Sequence, residues 1–326
     1  DPDVKKIKIT LYRVANNSRV ISALMNAVQN GKEVIVVIEL QARFDEYANI
    51  YWARKLEEIG AKVLFGIQGL KVHSKLTLIT KRTGNRTRYY SVIGTGNFHE
   101  GNAAAYTDVA LLTSDQRIGR EVEKLFDYFE NPFKYPIFRH LLVSPQFMRK
   151  KIYSMIDAEI RNAKAGQEAW ILIKINNLVD PEMIRKLYHA SQAGVPIKMV
   201  VRGICSLIPG VKGASENIEA VSIVGRYLEH SRIFIFCNGG NEKYYISSAD
   251  WMSRNLNARI EVAAPVYDPD LQKELKFIIT DQLQDNVKAR IINKERDNRY
   301  KRNSQPPLMS QASIYEHYKL FLKNGK

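Results

Sequence analysis

The chain has 326 residues, which is enough for two domains of ordinary size. With 45% hydrophobic and 25% charged residues the composition is typical of a globular protein, and no apolar run approaches the roughly 20 residues needed to cross a membrane. A net charge of +15 favours an anionic partner such as a nucleic acid, an anionic membrane surface or a phosphate polymer.

Cysteine content and the start of the chain indicate its setting. Cys205 and Cys237 are too few for a disulfide framework, and no Cys/His spacing is typical of a metal site. We therefore expect a cytoplasmic protein, with the inner face of the membrane as a place for peripheral attachment. The chain opens on DPDV and goes almost directly into a strand-like run, so we interpret it as part of a longer protein.

In the first half, apolar runs alternate with helix-boundary signals. The predicted elements are a strand at 5–13, a helix at 16–30, a strand at 33–43, a helix at 46–60, a short strand at 61–66 and a strand at 71–79. The strand at 33–43 is nearly continuous in apolar character, which is typical of a buried parallel strand.

The second half repeats this order after a proline-containing connector at 131–138. The predicted elements are a strand at 168–176, a helix at 180–194, a strand at 197–203, a strand at 228–236, a basic exposed arm at 294–307 and a short amphipathic helix at 313–322. In the helix at 180–194, Asp180 provides the cap and Pro181 the first turn.

The two halves therefore predict an α/β protein with an internal duplication. Gly31 and Gly194 end equivalent helices, and Arg43 and Arg202 lie near the ends of equivalent strands, where open α/β sheets bind ligands. We expect two domains, 1–140 and 141–326, each a mixed β-sheet flanked by helices. The second would also carry the basic segment and the C-terminal helix.

Two histidine segments carry the chemical signal: KVHSKLTLI at 71–79 and LEHSRIFIF at 228–236. In a strand, residues i and i+2 share a face, so His73 would lie beside Lys75, and His230 beside Arg232. A neutral imidazole is a nucleophile or a proton shuttle near pH 7, and a neighbouring fixed cation suits a phosphate. This pattern predicts phosphate chemistry with His73 and His230 as catalytic residues.

Several further motifs, in order, complete a family resemblance. They are LYR at 11–13, QARFD at 41–45, YYSVIGTGNFHEGNAAAYTD at 89–108, VRGIC at 201–205, RYLEHSR at 226–232, YISSADWMSR at 245–254 and NVKAR at 286–290. With them the chain resembles the C-terminal half of bacterial polyphosphate kinase almost from end to end. The resemblance implies two phospholipase D-like domains, which agrees with the duplication.

The resemblance also implies a reaction and roles for residues. The reaction is reversible transfer of the ATP γ-phosphate to inorganic polyphosphate, with His73 carrying the phosphate and His230 assisting in proton transfer and nucleotide handling. Tyr106 and Arg202 fall on nucleotide-contacting positions, and Lys75 and Arg232 would bind phosphate beside the histidines. ATP and polyphosphate are then the partners, without a specific nucleic acid, and the full-length protein is expected to be a homo-oligomer.

Magnesium is the implied metal, and Arg13 and Arg43 fall on positions associated with it. An arginine has no lone pair to give a metal, so we interpret this link as indirect, through a phosphate that both contact. The family's enzyme also has two N-terminal domains, one of which contacts the nucleotide base. This fragment alone is therefore expected to show reduced activity or none.

Two other functions stay open. A phospholipase D-type phosphodiesterase or nuclease needs His-x-Lys with an aspartate six residues after the histidine. Those positions hold Ile79 and Phe236, and Arg232 replaces the second lysine, which argues against that chemistry. A non-catalytic polyanion-binding module needs no histidine pair and predicts binding that weakens steeply with salt.

Overall fold

The computed structural model describes residues 1–15, 17–40, 46–133 and 135–324. The chain forms two compact units. The first comprises residues 1–148 together with 246–249 and 254–264, and the second comprises 149–245, 250–253 and the residues from 265 onward. Two short segments from the C-terminal half of the sequence thus belong to the first unit.

Strands and helices alternate along the chain. The strands are β1 (Val4–Leu11), β2 (Glu33–Ile38), β3 (Lys62–Leu64), β4 (Lys71–Val72), β5 (Lys75–Thr83), β6 (Arg86–Gly94), β7 (Tyr106–Thr107), β8 (Ala110–Thr113), β9 (Leu142–Val143), β10 (Ile171–Ile175), β11 (Ile197–Val201), β12 (Ile218–Ile223), β13 (Leu228–Glu229), β14 (Arg232–Phe236), β15 (Lys243–Ser247), β16 (Arg259–Ile260), β17 (Val262–Pro265) and β18 (Ala289–Ile292). The helices are α1 (Arg19–Gln29), α2 (Glu46–Glu58), α3 (Glu100–Ala105), α4 (Gln116–Glu130), α5 (Met148–Lys164), α6 (Pro181–Gln192), α7 (Ser253–Asn257), α8 (Pro269–Gln284) and α9 (Ser310–Asn324).

The first unit is built on a mixed sheet in the order β3-β2-β1-β5-β6-β8. Strands β1, β2 and β3 are parallel, whereas β5 is antiparallel to β1 and β6 is antiparallel to β5. Alternate residues of β1 point to opposite faces. Ile9 joins an apolar core with residues of α1 and α2, while Lys8 on the other face pairs with carboxylates of α4. Helices therefore cover both faces of this sheet.

The second unit repeats the arrangement with strands in the order β18-β12-β11-β10-β14-β15. Strands β10, β11 and β12 are parallel, β14 is antiparallel to β10, and β18 is antiparallel to β12. The order β3-β2-β1-β5-β6 in the first unit matches β12-β11-β10-β14-β15 in the second. Gly31 and Gly194, which follow equivalent helices, both adopt a positive φ, of 71° and 87°. The predicted duplication and fold class are confirmed.

Several element boundaries differ from the sequence prediction. The strand predicted at 71–79 is interrupted at 73–74, so each histidine lies in a short break before β5 or β14 rather than inside a strand. The strand predicted at 33–43 ends at Ile38, and its last part lies outside the described residues. The basic arm is not wholly irregular, because residues 299–301 pair with β18. Among the described helices, none combines the length and apolar character needed to span a membrane.

Candidate active site

The strand order places the first histidine segment at the carboxyl end of β1. Because β5 runs antiparallel to β1, its first residues lie beside the last residues of β1. The Thr10 hydroxyl donates to the Ser74 carbonyl at 2.7 Å and accepts from the backbone N–H of Leu76 at 2.9 Å. These two bonds fix the short break that carries His73.

His73 is held on several sides. Its backbone N–H donates to the Ile260 carbonyl at 2.9 Å, and its ring meets that of Tyr12 edge to face, with centroids 4.8 Å apart. Nδ1 lies 2.8 Å and 2.9 Å from the two carboxylate oxygens of Glu261. The imidazole, with 13% of its side chain exposed, is therefore fixed in orientation but still reachable from solvent.

Glu261 is buried and is itself fixed by other side chains. Its carboxylate accepts hydrogen bonds from Ser248 Oγ at 2.5 Å and from Asn255 Nδ2 at 2.6 Å. Burial raises the pKa of Glu261, but His73, Lys75 and the Ser248 hydroxyl outweigh burial, and the net pKa is lowered. Burial lowers the pKa of His73 to about 4, against an opposing effect of Glu261. The pair is thus an ionised carboxylate and a neutral imidazole.

This pair determines which ring nitrogen can react. A carboxylate only accepts hydrogen bonds, so Nδ1 carries the proton and Nε2 keeps its lone pair. A histidine oriented in this way by an acid is a nucleophile or a base at Nε2. The first unit therefore presents an imidazole prepared to attack an electrophile at neutral pH.

Several cationic side chains lie near the imidazole. Lys75 is 2% exposed, donates to the His73 carbonyl oxygen, and has its ammonium 5.2 Å from the centroid of the Tyr12 ring. Burial is the largest cause of the lowered pKa of His73, and Glu261 opposes it by raising the pKa. Lys75 and Arg259 lower the pKa further. A cleft of about 590 Å³ lies next to this segment, lined in part by Lys71, Arg254 and Arg259. The cations make the surroundings of His73 suitable for an anion.

The second unit holds its histidine segment by equivalent contacts. Lys174 of β10 donates to the Ser231 carbonyl at 3.3 Å, just as Thr10 does to Ser74 in the first unit. Arg232 Nη1 lies 3.2 Å from His230 Nε2 and donates to the His230 carbonyl at 2.8 Å. The predicted His230–Arg232 pair is therefore formed.

Asp250 fixes Arg232. Its carboxylate accepts from Arg232 Nε at 3.2 Å, from the backbone N–H of Asn176 at 2.9 Å and from Asn177 Nδ2 at 3.0 Å. Burial raises the pKa of Asp250, but Arg232 and these donors lower it to about 2. The Arg232 guanidinium is thus held beside His230 by a permanent negative charge.

Arg202 belongs to the same cluster. It follows β11 directly, and its Nε donates to Asn176 Oδ1 at 3.2 Å. Asn176 Nδ2 in turn donates to the His230 carbonyl at 3.3 Å. Arg202 follows β11, which is parallel to β10, and His230 and Arg232 lie at the start of β14, which is antiparallel to β10, so all three residues lie at the carboxyl end of β10.

Three predicted residues remain to be placed. Arg13 lies two residues past the end of β1, on the same edge as Tyr12 and His73. Tyr106 begins β7 after α3 and is half-buried. Arg43 lies outside the described residues.

Sequence reasoning missed Glu261 and the two side chains that donate to its carboxylate, Ser248 and Asn255. A similar pair occurs earlier, where the Thr95 hydroxyl donates to Asp108 at 2.6 Å, and the two residues are thirteen positions apart in both pairs. The available signal was a lone acid inside the apolar run RIEVAAP at 259–265, together with this repeated spacing. Glu261 lies buried between β16 and β17, and a buried acid needs partners, which here are a histidine, a serine and an asparagine.

Comparisons with known proteins agree with this geometry. Sequence profiles of "Polyphosphate kinase C-terminal domain 1" and "Polyphosphate kinase C-terminal domain 2" match residues 1–135 and 141–311. The chain is 52% identical to the polyphosphate kinase of Vibrio cholerae and 51% identical to that of Escherichia coli, over 98% of its own length and 46% of each relative. It spans about half the length of these relatives.

Solved structures give the same result. The crystal structure of polyphosphate kinase from Porphyromonas gingivalis superposes with a TM-score of 0.92 at 43% identity, covering 99% of this chain and 50% of that one. The phosphatidylserine synthase of Haemophilus influenzae superposes with a TM-score of 0.59 over 98% of this chain, and at 10% identity that likeness concerns the fold alone.

Two mixed sheets with the same strand order, each with a histidine and a cation at the carboxyl end of its parallel strands, define a duplicated α/β protein. Within that class, the profile matches over both halves and the identity of about one half assign the family. The chain belongs to the polyphosphate kinase family.

Proposed function

We propose that this chain is the catalytic C-terminal half of a polyphosphate kinase, which transfers the γ-phosphate of ATP reversibly to inorganic polyphosphate. The observation that carries the proposal is the Glu261–His73 pair, because it leaves Nε2 with a lone pair at neutral pH. Family membership supports the choice of substrates. In this proposal residues 1–140 form the domain with the nucleophile and 141–326 the domain with His230.

The proposed reaction has two steps. Nε2 of His73 attacks the γ-phosphorus of ATP, the bond from phosphorus to the bridging oxygen breaks, and ADP leaves with the electron pair. A terminal oxygen of polyphosphate then attacks the phosphorus, the N–P bond breaks, and its electrons return to Nε2. Glu261 stabilises the charge that the ring acquires, and Lys75 neutralises the transferred group.

The second cluster would serve the nucleotide and the leaving oxygen. Arg202 and Arg232 are guanidiniums with fork geometry suited to phosphate oxygens. His230, beside Arg232, would give or take the proton of the leaving or attacking oxygen. Tyr106 would contact the nucleotide, as expected from the family resemblance.

Magnesium, in this proposal, arrives with the phosphates. Among residues 1–15, 17–40, 46–133 and 135–324, no group of three or more His, Cys, Asp or Glu side chains could hold a metal ion. Arg13 cannot ligate a metal, so it would contact a phosphate that the ion also binds. The ion would supply charge neutralisation of the phosphates, with phosphate oxygens, water or a carboxylate as its ligands.

The test uses the natural protein that contains these 326 residues. It is incubated with γ-labelled ATP and magnesium, and an acid-labile, base-stable protein label is measured. We expect the His73→Ala variant to lose this label, whereas His189→Ala, which removes an exposed histidine of α6, keeps it. An active enzyme without such a label would contradict the phosphohistidine step.

The same preparation distinguishes the other functions. Cleavage of a phosphodiester would favour a phospholipase D-type enzyme. Salt-sensitive binding of polyphosphate without turnover would favour a polyanion-binding module.

A further inference from the structure

A strongly basic hairpin forms one edge of the second unit. We define the basic hairpin as residues 288–302, in which β18 is followed by a turn and by a returning segment at 299–301. The Ile291 N–H donates to the Arg299 carbonyl at 2.9 Å, and the Lys301 N–H to the Ala289 carbonyl at 2.8 Å. Its seven basic residues, against Glu295 and Asp297, are Lys288, Arg290, Lys294, Arg296, Arg299, Lys301 and Arg302.

Buried polar groups anchor the base of this hairpin. One oxygen of Asp285 accepts from the backbone N–H groups of residues 287, 288 and 289, and the other accepts from the backbone N–H and the hydroxyl of Ser310. Asn286 Nδ2 donates to Asn303 Oδ1 at 2.8 Å and to the Pro306 carbonyl at 3.1 Å. The basic hairpin is therefore an ordered surface with a defined shape, unlike a solvated tail.

Two arginines of the hairpin are ordered around one aromatic ring. The guanidinium carbons of Arg290 and Arg302 lie 3.9 Å and 4.6 Å from the ring centroid of Tyr300. Arg290 Nη1 donates to the Asn298 carbonyl at 2.7 Å, and Arg302 Nη1 to the Val287 carbonyl at 3.0 Å. Each guanidinium has five N–H donors, and its hydrogen bonds to the described part of the chain involve only Nη1. Two preordered neighbouring guanidiniums with donors remaining suit an anion with several charges.

The hairpin connects to the proposed site through the sheet. Arg290 pairs in register with Ser222 of β12, and the Ser222 hydroxyl donates to the Arg202 carbonyl at 3.0 Å. Because β18 is antiparallel to β12, its first residue, Ala289, pairs with the last residue of β12 and lies at the same end of the strands as Arg202. The turn of the hairpin lies toward the opposite end. A chain of phosphates bound to the hairpin would therefore lead away from the Arg202 cluster.

We propose that the basic hairpin is a docking surface for the linear polyphosphate chain; this rests on the proposed function. A polymer with a charge on every unit and no bases matches a surface that offers ordered cations. A single-stranded nucleic acid would be expected to use open aromatic rings for base stacking. In the described hairpin the aromatic ring is Tyr300, and the two guanidiniums already contact it.

The test measures binding in the absence of turnover. The Arg290→Gln/Arg302→Gln variant of this chain should bind long-chain polyphosphate at least about tenfold more weakly, with a shallower dependence on salt. Its affinity for ATP should change less than about twofold, because the γ-phosphate site lies elsewhere. The matched control, Lys124→Gln/Arg161→Gln, removes two exposed cations of α4 and α5 and should bind polyphosphate normally. An equal loss in the control would overturn the proposal.

A second variant tests the hairpin without disturbing its packing, so a folding defect cannot explain the result. Lys294→Gln/Arg296→Asn changes the exposed turn and leaves the contacts of Tyr300 intact, and asparagine suits the positive φ of 56° at position 296. It should also weaken polyphosphate binding. If the hairpin variants lost binding to an RNA oligonucleotide but bound polyphosphate normally, the proposal would be overturned. A protein that ATP does not label, but whose hairpin variants still lose polyphosphate, would contradict the proposed function alone.

Discussion

At the scale of single residues, His73 depends on Glu261 for its chemical character. The carboxylate holds the proton on Nδ1 and so keeps the lone pair on Nε2. Ser248 and Asn255 fix that carboxylate, so they are positioning residues that act through Glu261. The neutral state of the ring has a different cause, which is burial.

Replacing Glu261 with a neutral residue of the same shape should therefore change the His73 tautomer and leave the fold intact. In Glu261→Gln, the amide can donate to Nδ1, which would place the ring proton on Nε2 and remove the nucleophile. We expect the rate of His73 phosphorylation to fall by about 10²–10⁴-fold, as for the loss of a comparable orienting acid. Single-turnover labelling with γ-labelled ATP measures it. Glu57→Gln, which changes an exposed acid of α2, should leave the rate unaltered, and a normal rate in Glu261→Gln would refute the assignment.

The protonation of His73 gives a second prediction. Its pKa of about 4 lies below the ordinary value of 6.5, so the folded state excludes a proton that the unfolded state binds between these pH values. Burial of this ring therefore lowers stability as the pH falls from about 6.5 toward 4, and has no such effect above 6.5. NMR titration of the imidazole resonance that disappears in His73→Gln should give a midpoint below pH 5. A midpoint near 6.5 would contradict this account.

At the scale of elements, a buried ion pair joins the first residue of β14 to the segment that follows β15. The side chains of Arg232 and Asp250 are 5% and 8% exposed, so removal of one partner leaves an uncompensated buried charge. We expect Asp250→Asn to lower the free energy of unfolding by about 3 kcal/mol, measured by urea denaturation. Because the pKa of Asp250 is lowered to about 2, this stabilisation is present above pH about 4 and is lost as the pH falls toward 2.

A double-mutant cycle checks the cause. Arg232→Gln combined with Asp250→Asn removes both charges, so it should cost less than the sum of the two single variants. Purely additive losses would mean that the ion pair does not account for the effect of Asp250→Asn.

Sequence periodicity predicted the strands and helices that occur in both halves, but it did not predict the break at His73 or the role of Glu261. The strands near 171–175 and 197–201 and the helix at 181–192 were predicted because caps, glycines and apolar runs are local signals. The interruption at His73 was missed because it arises from the bond between Thr10 and Ser74, which are 64 residues apart. The role of Glu261 was missed for the same reason, since 188 residues separate it from His73.

At the scale of the whole molecule, the first unit is not continuous in sequence. It takes residues 246–249 and 254–264 from the C-terminal half, and these segments contain Ser248, Asn255 and Glu261. Strand β4 also pairs in parallel with β16, which belongs to the same borrowed segment. A duplicated protein of this kind can have a site in its first unit that depends on residues encoded after the second copy begins.

A polypeptide of residues 1–140 should therefore contain His73 without the residues of 246–264 that contact it. It lacks Glu261 and the Ile260 carbonyl that accepts from the His73 N–H, so the ring should return to water and its pKa should rise toward 6.5. NMR titration of His73 in this polypeptide, beside the 326-residue chain as reference, measures the shift without depending on activity. If His73 titrated near pH 4 in both, residues 246–264 could not be what buries it.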